Sequence, residues 1–392
     1  MPDLMTILTE LSWPIAICIA WVAGEFGQRL TGLPKISFYG IVGFALAAPQ
    51  IGVLPVSGAG AILQLADVGF GLILFELGYR INLRWLRTNP WLGAASLLEA
   101  GTTFVAIYMV ALAFGTSNLT AMLLAALGMS TSPATVVRVI NETRSSGQVT
   151  ERILHLTALN CVMAVFVFNV IVGFWIFKSS EDVGHAALNS VVVTLLSALA
   201  GAVFGVAVPA VLRQMGNLSK DATTGFALAV ILLVWFTHTT QLSPVVAALV
   251  FGLTARHRRV AFSQAQRNFG PLGEVLTVLL FVFAASTLDW RTITDGTLLA
   301  LAVLLVRLLT KTASVTAFAH LSGISWRKGA LTGLGLAPVS VFVILLLEHT
   351  RLRGVIFGDE LRAMAGVTLL LEIFGPILIQ RALMLARETN KD

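Results

Sequence analysis

Long apolar runs, separated by short polar stretches, occupy almost the whole chain. A bilayer core needs roughly 20 apolar residues per helix, and thirteen segments approach that length. They cover about residues 5–28, 36–51, 60–79, 91–114, 118–140, 152–177, 186–212, 222–238, 241–255, 270–287, 297–319, 329–348 and 362–386. Turn-forming clusters such as Thr31-Gly32-Leu33-Pro34 separate them. The pattern predicts an all-α polytopic membrane protein with a single membrane domain, residues 1–392.

Composition and charge support the membrane assignment. The chain is 57% hydrophobic and 12% charged, whereas soluble domains have about 25% charged residues. The net charge of +6 does not indicate a nucleic-acid partner, because cytoplasmic loops of membrane proteins are rich in Lys and Arg. With the N-terminus outside, most of the 26 Lys and Arg residues fall in alternate loops on one side. This predicts an outside N-terminus and a cytoplasmic C-terminus.

One predicted span is interrupted by polar residues and a proline. Ser130, Thr131 and Ser132 precede Pro133 inside the apolar run 118–140. Proline removes a backbone donor and clashes with the preceding turn, so the helix must open there. Open backbone at membrane depth is tolerated only where it is buried in protein or lines a cavity. The next span carries Asn160 and Cys161, so the stretch is typical of the midplane site of a secondary transporter.

A second segment repeats the pattern of the first break. Gly128 and Pro133 have counterparts in Gly333 and Pro338, with the same G-x-x-x-x-P spacing, and Gly335 lies between them. The two predicted spans are seven apart and so run in opposite directions through the membrane. We therefore predict inverted repeats with two broken helices that cross near the midplane.

Charged residues inside predicted spans are functional candidates, because burying them in a membrane costs several kcal/mol. Arg307 and Lys311 are four residues apart and share one helix face. Glu99 and Glu372 are their natural partners, either in a functional site or in an ion pair that only fixes helix packing. The full set of candidates is Glu25, Glu76, Glu99, Arg138, Arg307, Lys311 and Glu372.

Motifs of the common enzyme classes do not occur in the sequence. It contains no phosphate-binding loop, zinc-ligand spacing, nucleophile elbow or metalloprotease motif. The two cysteines, Cys18 and Cys161, lie in apolar surroundings and predict no disulfide. We therefore expect no enzyme activity and no cofactor.

Four stretches resemble the monovalent cation:proton antiporters, especially the bacterial sodium/proton and potassium/proton branch. ATVVRVINE (134–142) looks like the exit of the family's first broken helix, and TERILHLTALNC (150–161) like the approach to its paired ion site. LSPVVAALVFGL (242–253) is similar to its ninth helix. Residues 307–338 look like its lysine-bearing helix, short loop and second broken helix. The resemblance covers nearly the whole chain.

This resemblance implies a two-layer fold and a mode of action. Scaffold and dimerisation helices would cover about 5–79 and 222–287, core transport helices about 91–177 and 297–386, and a linker helix about 186–212. It further implies a homodimer in the bacterial inner (cytoplasmic) membrane that exchanges a monovalent cation for protons by alternating access.

The candidate site departs from the family's pattern. Cys161 stands where the family has its ion-binding aspartate, with Asn160 before it. Val339-Ser340-Val341 replaces the family's Arg-Gly-Glu. A thiol with an ordinary pKa of about 8.5 is a poor proton carrier near neutrality, and a buried Lys311 could carry the proton instead. The resulting candidates are Thr131, Ser132, Asn160, Cys161 and Glu99 as ion-binding residues, Lys311, Arg307 and Glu372 as charge partners, and Pro133, Gly333, Gly335 and Pro338 as helix breaks, with no metal beyond a transported monovalent cation.

Three functions remain open at this point. The first is a cation:proton antiporter with a rebuilt Asn-Cys site. The second is a proton-coupled transporter of anions or weak acids, because Arg307 and Lys311 make a site without carboxylates attractive to anions. The third is a membrane sensor or partner subunit that kept the fold and lost transport.

Overall fold

The structure is a computed structural model that describes residues 4–55, 59–175, 183–215, 222–258, 269–288, 290–340, 343–345 and 362–389. These residues form fifteen helices and no strand, so the predicted all-α class is confirmed. The helices are α1 (Leu4–Thr31), α2 (Lys35–Leu46), α3 (Ala59–Arg80), α4 (Leu83–Thr88), α5 (Pro90–Ala113), α6 (Asn118–Gly128), α7 (Pro133–Thr143), α8 (Gln148–Trp175), α9 (Val183–Gln214), α10 (Ala222–Thr239), α11 (Pro244–His257), α12 (Gly270–Ser286), α13 (Trp290–Ala317), α14 (Trp326–Gly335) and α15 (Arg362–Leu385).

Seven helical stretches of the described residues are long and apolar enough to cross a membrane. They are Gly60–Arg80, Pro90–Ala113, Asn118–Thr143, Gln148–Phe174, Gly184–Gln214, Ala222–Thr239 and Thr297–Ala317. Four shorter apolar helices accompany them: Lys35–Leu46, Pro244–His257, Gly270–Ser286 and Phe374–Leu385. The protein is therefore a multi-pass membrane protein, and the number of thirteen spans stays a prediction.

One helix is shorter than the sequence predicts, and one short helix was not predicted. The predicted span 36–51 is helical only to Leu46, and Ala47 is extended with ψ 155°. Ala48 precedes Pro49, and a residue before proline is biased away from helical angles. The short helix α4 was not predicted; the Asn82 side chain caps it by accepting bonds from two backbone N–H groups, at 3.1 and 3.2 Å.

The helices pack in two groups that meet along α7, α8 and α15. In one group α3 packs against α10, α11 and α12, α2 packs against α1 and α12, and α9 packs against α11. In the other, α5 packs against α6 and α13, and α13 packs against α14 and α15. Contacts of α7 with α3, of α8 with α9 and of α15 with α2 join the groups. The predicted division into scaffold, core and linker stays a prediction.

Candidate functional site

The two interrupted helices meet at their breaks. The Ser132 backbone N–H donates to the Pro338 carbonyl at 3.1 Å, and the Thr131 hydroxyl donates to the Leu336 carbonyl at 3.4 Å. Thr131, Ser132 and Leu336 are fully buried. The first break therefore crosses the second in the interior of the protein, as an opened pair of membrane helices requires.

The first break forms because its polar residues satisfy the freed backbone. Helix α6 ends at Gly128 and α7 begins at Pro133, where a missing N–H costs nothing. Ser132 is the N-cap of α7, and its hydroxyl oxygen accepts a bond from Thr135 N at 3.3 Å. Ser132, predicted as an ion-binding residue, thus has a capping role in this arrangement.

The second break has a different geometry from the first. Helix α14 ends at Gly335, and Pro338 lies in non-helical backbone, whereas Pro133 is the first residue of a helix. Gly333 was predicted to mark the break but lies inside α14. A Cβ at Gly333 would come within 2.5 Å of the Thr312 Cα, so this glycine permits close packing of α14 on α13.

Arg307 holds both breaks together. Its guanidinium, 1% exposed, donates to five backbone carbonyls on the two breaks. They are Gly128 at 2.7 Å, Ser130 at 2.6 Å, Leu336 at 3.2 Å, Pro338 at 3.1 Å and Ala337. The C-terminal ends of α6 and α14 each carry a partial charge of about −0.5. Together they balance one guanidinium charge without a carboxylate.

Lys311 lies one turn further along α13 and forms a buried ion pair with Glu99 on α5. Both side chains are fully buried. The ammonium also donates to the Met129 carbonyl at 2.9 Å and to the Thr131 hydroxyl oxygen at 3.3 Å, so its three donors all have acceptors. The second carboxylate oxygen, Glu99 Oε2, is buried and accepts no bond from any described residue.

Asn160 and Cys161 contact the first break from α8. Asn160 Nδ2 donates to the Thr131 hydroxyl oxygen at 3.3 Å, and its Oδ1 accepts from the Ser96 hydroxyl at 3.2 Å. The Cys161 thiol donates to the Thr131 carbonyl at 3.2 Å. Both side chains are fully buried. Thr131 therefore joins Lys311, Asn160 and Cys161 in one network at the crossing.

Two polar neighbours of this network, Ser96 and Thr157, were not predicted from the sequence. Ser96 precedes Glu99 by three residues, and Thr157 precedes Asn160 by three, so each shares a helix face with a predicted site residue. The Thr157 hydroxyl is buried without a partner among the described residues. Glu372, the alternative charge partner, has its side chain outside the described part of the structure.

The geometry of the site is suited to a single positive charge. The described residues include no group of three or more His, Cys, Asp or Glu side chains that could hold a metal ion. Glu99 is the one carboxylate that contacts the crossing in the described part of the chain, and its Oε2 oxygen has no hydrogen-bond partner among the described residues. A buried carboxylate oxygen without a partner is unusual, because leaving it unpaired costs free energy.

The chain is similar to known proteins both in sequence and in fold. The sequence profile of the family described as "Sodium/hydrogen exchanger, transmembrane" matches residues 15–385. The putative K(+) efflux antiporter KefB of Alkalimonas amylolytica is 25% identical over 370 residues, which are 91% of this chain and 54% of KefB. The iron transporter MagA of Paramagnetospirillum magneticum is 22% identical over 375 residues, covering 94% of this chain and 84% of MagA.

The fold is similar to that of a solved antiporter. Two structures of the sodium proton antiporter MjNhaP1 from Methanocaldococcus jannaschii superpose on it. The structure at pH 8 has a TM-score of 0.67, 15% identity and coverage of 97% of this chain and 96% of the other. A second, from electron microscopy, has a TM-score of 0.72, 16% identity and coverage of 98% and 95%. The predicted antiporter fold is thereby confirmed.

The family match spans all but the two ends of the chain, and the fold agrees with it. The chain spans about half the length of its KefB relative. This chain belongs to the transmembrane sodium/hydrogen exchanger family.

Proposed function

We propose that the chain is a secondary transporter that exchanges a monovalent cation for a proton at the Glu99–Lys311 pair. The observation that carries this proposal is the fully buried ion pair at the crossing, with one carboxylate oxygen unpartnered among the described residues. A lone carboxylate offers one negative charge, which either an ammonium or a monovalent cation can neutralise.

The exchange follows from competition for Glu99. A cation that enters from water takes the place of the Lys311 ammonium on the carboxylate, with the Thr131 hydroxyl and Asn160 Oδ1 as further oxygen ligands. Without its carboxylate, the buried ammonium is destabilised and releases a proton to water. When Lys311 takes a proton up again, it displaces the cation from Glu99. One cation therefore moves for one proton, and the charge of the site stays constant.

Cys161 has a positioning role in this scheme. Its thiol donates to the Thr131 carbonyl. In this scheme a neutral donor therefore stands at the family's aspartate position, and Glu99 on α5 supplies the carboxylate. An aspartate at that position would instead place a second negative charge near Lys311.

The geometry gives the anion alternative no support. That hypothesis needs cations with unused charge, yet Lys311 is paired with Glu99, and Arg307 is bonded to five carbonyls. The names of the relatives include potassium and iron transport. A single carboxylate is better matched to a monovalent ion, because di- and trivalent ions favour several charged or imidazole ligands.

Further features of this proposal come from the family. We propose that the chain works as a homodimer in the bacterial inner membrane, with its N-terminus outside. The helix group of α5–α8 and α13–α15 would move against α1–α3 and α10–α12, with α9 as the linker.

The test uses the purified full chain in liposomes that enclose a pH-sensitive dye. A pH gradient is imposed, and Na⁺, K⁺ or choline is added outside. The proposal predicts proton movement with Na⁺ or K⁺ and none with choline. A response to chloride or carboxylates alone would favour an anion transporter, and silence with every ion would favour a non-transporting homologue.

A further inference from the structure

The end of α7 is bonded to the opposite helix group. Asn141 lies two residues before the end of this helix. Its Nδ2 donates to Glu76 Oε1 on α3 at 2.8 Å, and its Oδ1 accepts a bond from the Arg80 guanidinium. Glu76 and Arg80 also form an ion pair at 2.8 Å, and the Glu76 side chain is 1% exposed. We call Glu76, Arg80 and Asn141 the α3–α7 latch.

Two neighbours of Asn141 on the same face of α7 bind the same helix group. Arg138 donates to the Gly273 carbonyl on α12 at 2.8 Å. Glu142 accepts bonds from the Lys35 backbone N–H at 3.3 Å and from the Gln28 side chain at 3.2 Å. Residues 138, 141 and 142 are thus bonded to α12, α3 and the α1–α2 region, respectively.

A polar cavity of about 440 Å³ lies beside these contacts, and Lys35, Tyr39, Arg138, Glu142 and Glu274 are among the residues that line it. The opposite, apolar face of α7 is buried in the core. On the cavity side the polar bonds therefore add to this packing and fix the position of the helix end. The other end of α7 is continuous with Thr131, which binds Lys311 and Asn160. A displacement of this eleven-residue helix would move Thr131.

We propose that Asn141 is a positioning residue for transport: through Glu76 and Arg80 it holds α7 in place, and with it the Thr131 hydroxyl, which the proposed function makes a ligand of the cation. This inference rests on the proposed function. When the latch opens, α7 is released from α3, and the arrangement that binds the cation becomes less populated. The apparent affinity for the cation falls in proportion to that population.

The α3–α7 latch can be tested by exchanging the amide of Asn141 and the carboxylate of Glu76. Asn141→Asp turns the donor to Glu76 into a second carboxylate and opens the latch by repulsion. Glu76→Gln removes the charge that Arg80 requires. In the double variant Asn141→Asp/Glu76→Gln, the glutamine donates to the aspartate and Arg80 pairs with it, so the bonds and the net charge return. Lys328→Gln is the control, since it breaks a 3.0 Å bond to Gln148 on α8, within the other helix group.

Cation-dependent proton movement is measured in liposomes, together with hydrogen exchange of α7. We expect each single variant to raise the KM for the cation about tenfold, the effect of losing one hydrogen bond to a charged group, with Vmax unchanged within about twofold. The double variant should return to within about twofold of wild type, and the control should match wild type. A general loss of stability would instead lower Vmax and leave KM unchanged.

Two results would overturn the proposal: an unchanged KM in Asn141→Asp, or a double variant no better than the singles. If the wild type moves no ions, the proposed function fails, and hydrogen exchange of residues 138–143 still tests the latch. Faster exchange in the singles and restored protection in the double variant would support the latch, and equal exchange in all variants would refute it.

Discussion

The two cations of α13 have different tasks, although they lie one turn apart on one face. Arg307 binds only backbone carbonyls among the described residues and joins the two breaks. Lys311 binds the Glu99 carboxylate, and the proposed exchange requires it to give up this partner. The planar guanidinium suits the first task, because five donors in a fixed fork reach several carbonyls at once. The ammonium suits the second, because it can lose its proton.

This difference predicts the outcome of a conservative substitution at Arg307. Arg307→Lys replaces a planar fork by a compact ammonium. The Leu336 and Pro338 carbonyls keep their bonds from Thr131 and Ser132, but one ammonium cannot span the Gly128, Ser130 and Ala337 carbonyls of both breaks, so at least one of these buried acceptors loses its partner. We expect the free energy of unfolding to fall by about 1–3 kcal/mol, the cost of one unsatisfied buried group. Thermal unfolding in detergent measures it.

The control for that measurement is Arg87→Lys, which changes an exposed arginine and should alter stability by less than about 0.5 kcal/mol. If Arg307→Lys were as stable as this control, the carbonyl contacts of Arg307 would not hold the breaks together.

The sequence predicted the chemistry of the site residues better than their pairing. Isolated charges in apolar segments are visible without coordinates, so Glu99, Arg307 and Lys311 were candidates from the start. Which carboxylate faces Lys311 depends on how α5 and α13 pack, and side-chain periodicity does not give that. The capping bond of Ser132 and the close packing at Gly333 were not predicted, because capping and close packing use the same residue types as a binding site or a break.

At the scale of the elements, the two broken helices depend on close approach of their neighbours. Helix α14 packs on α13 through Gly333, where a Cβ would come within 2.5 Å of backbone. Backbone cannot move aside as the end of a flexible side chain can. The close contact of Gly333 with the backbone of Lys311 and Thr312 therefore fixes the position of α14, and of the second break, relative to Lys311.

Gly333→Ala should therefore destabilise the protein by about 1–3 kcal/mol through overpacking, and it should weaken transport because the clash lies beside Lys311. Gly101→Ala is the matched control, since it also changes a helix glycine, and its Cβ would meet nothing within 4 Å. We expect that variant to be neutral or up to about 1 kcal/mol more stable. Thermal unfolding measures the stability of both variants. If Gly101→Ala lost more stability than Gly333→Ala, close packing at Gly333 would not explain the effect.

The element boundaries show what a sequence pattern can locate. Pro133 marks the start of α7, because the N–H that proline lacks has no intrahelical acceptor at the first position of a helix. Proline did not predict the geometry of the second break, where Pro338 lies in non-helical backbone and α14 has already ended at Gly335. The α3–α7 latch was not foreseen either, since Glu76 and Asn141 are 65 residues apart.

At the scale of the whole molecule, the apolar pattern predicted the all-α membrane class, because membrane helices share long apolar runs. Two similar breaks in predicted spans pointed to the pair of broken helices, and the family resemblance implied the antiporter fold. The family match and the likeness to MjNhaP1 agree with that fold. The choice of ion depends on a few oxygen atoms at one point of the crossing, and the apolar pattern carries no information about them.

The most direct measurement compares proton exchange by Glu99→Gln and Glu25→Gln in liposomes under an imposed pH gradient. Glu99 pairs with Lys311 in the buried site, whereas Glu25 pairs with Lys35 in a partly exposed position. A buried ammonium without its carboxylate costs about 3–5 kcal/mol, but an exposed pair contributes about 0–1 kcal/mol. We expect Glu99→Gln to lower cation-dependent exchange at least about 100-fold, whereas Glu25→Gln should stay within about fivefold of wild type. Equal exchange by the two variants, with both proteins folded, would contradict it.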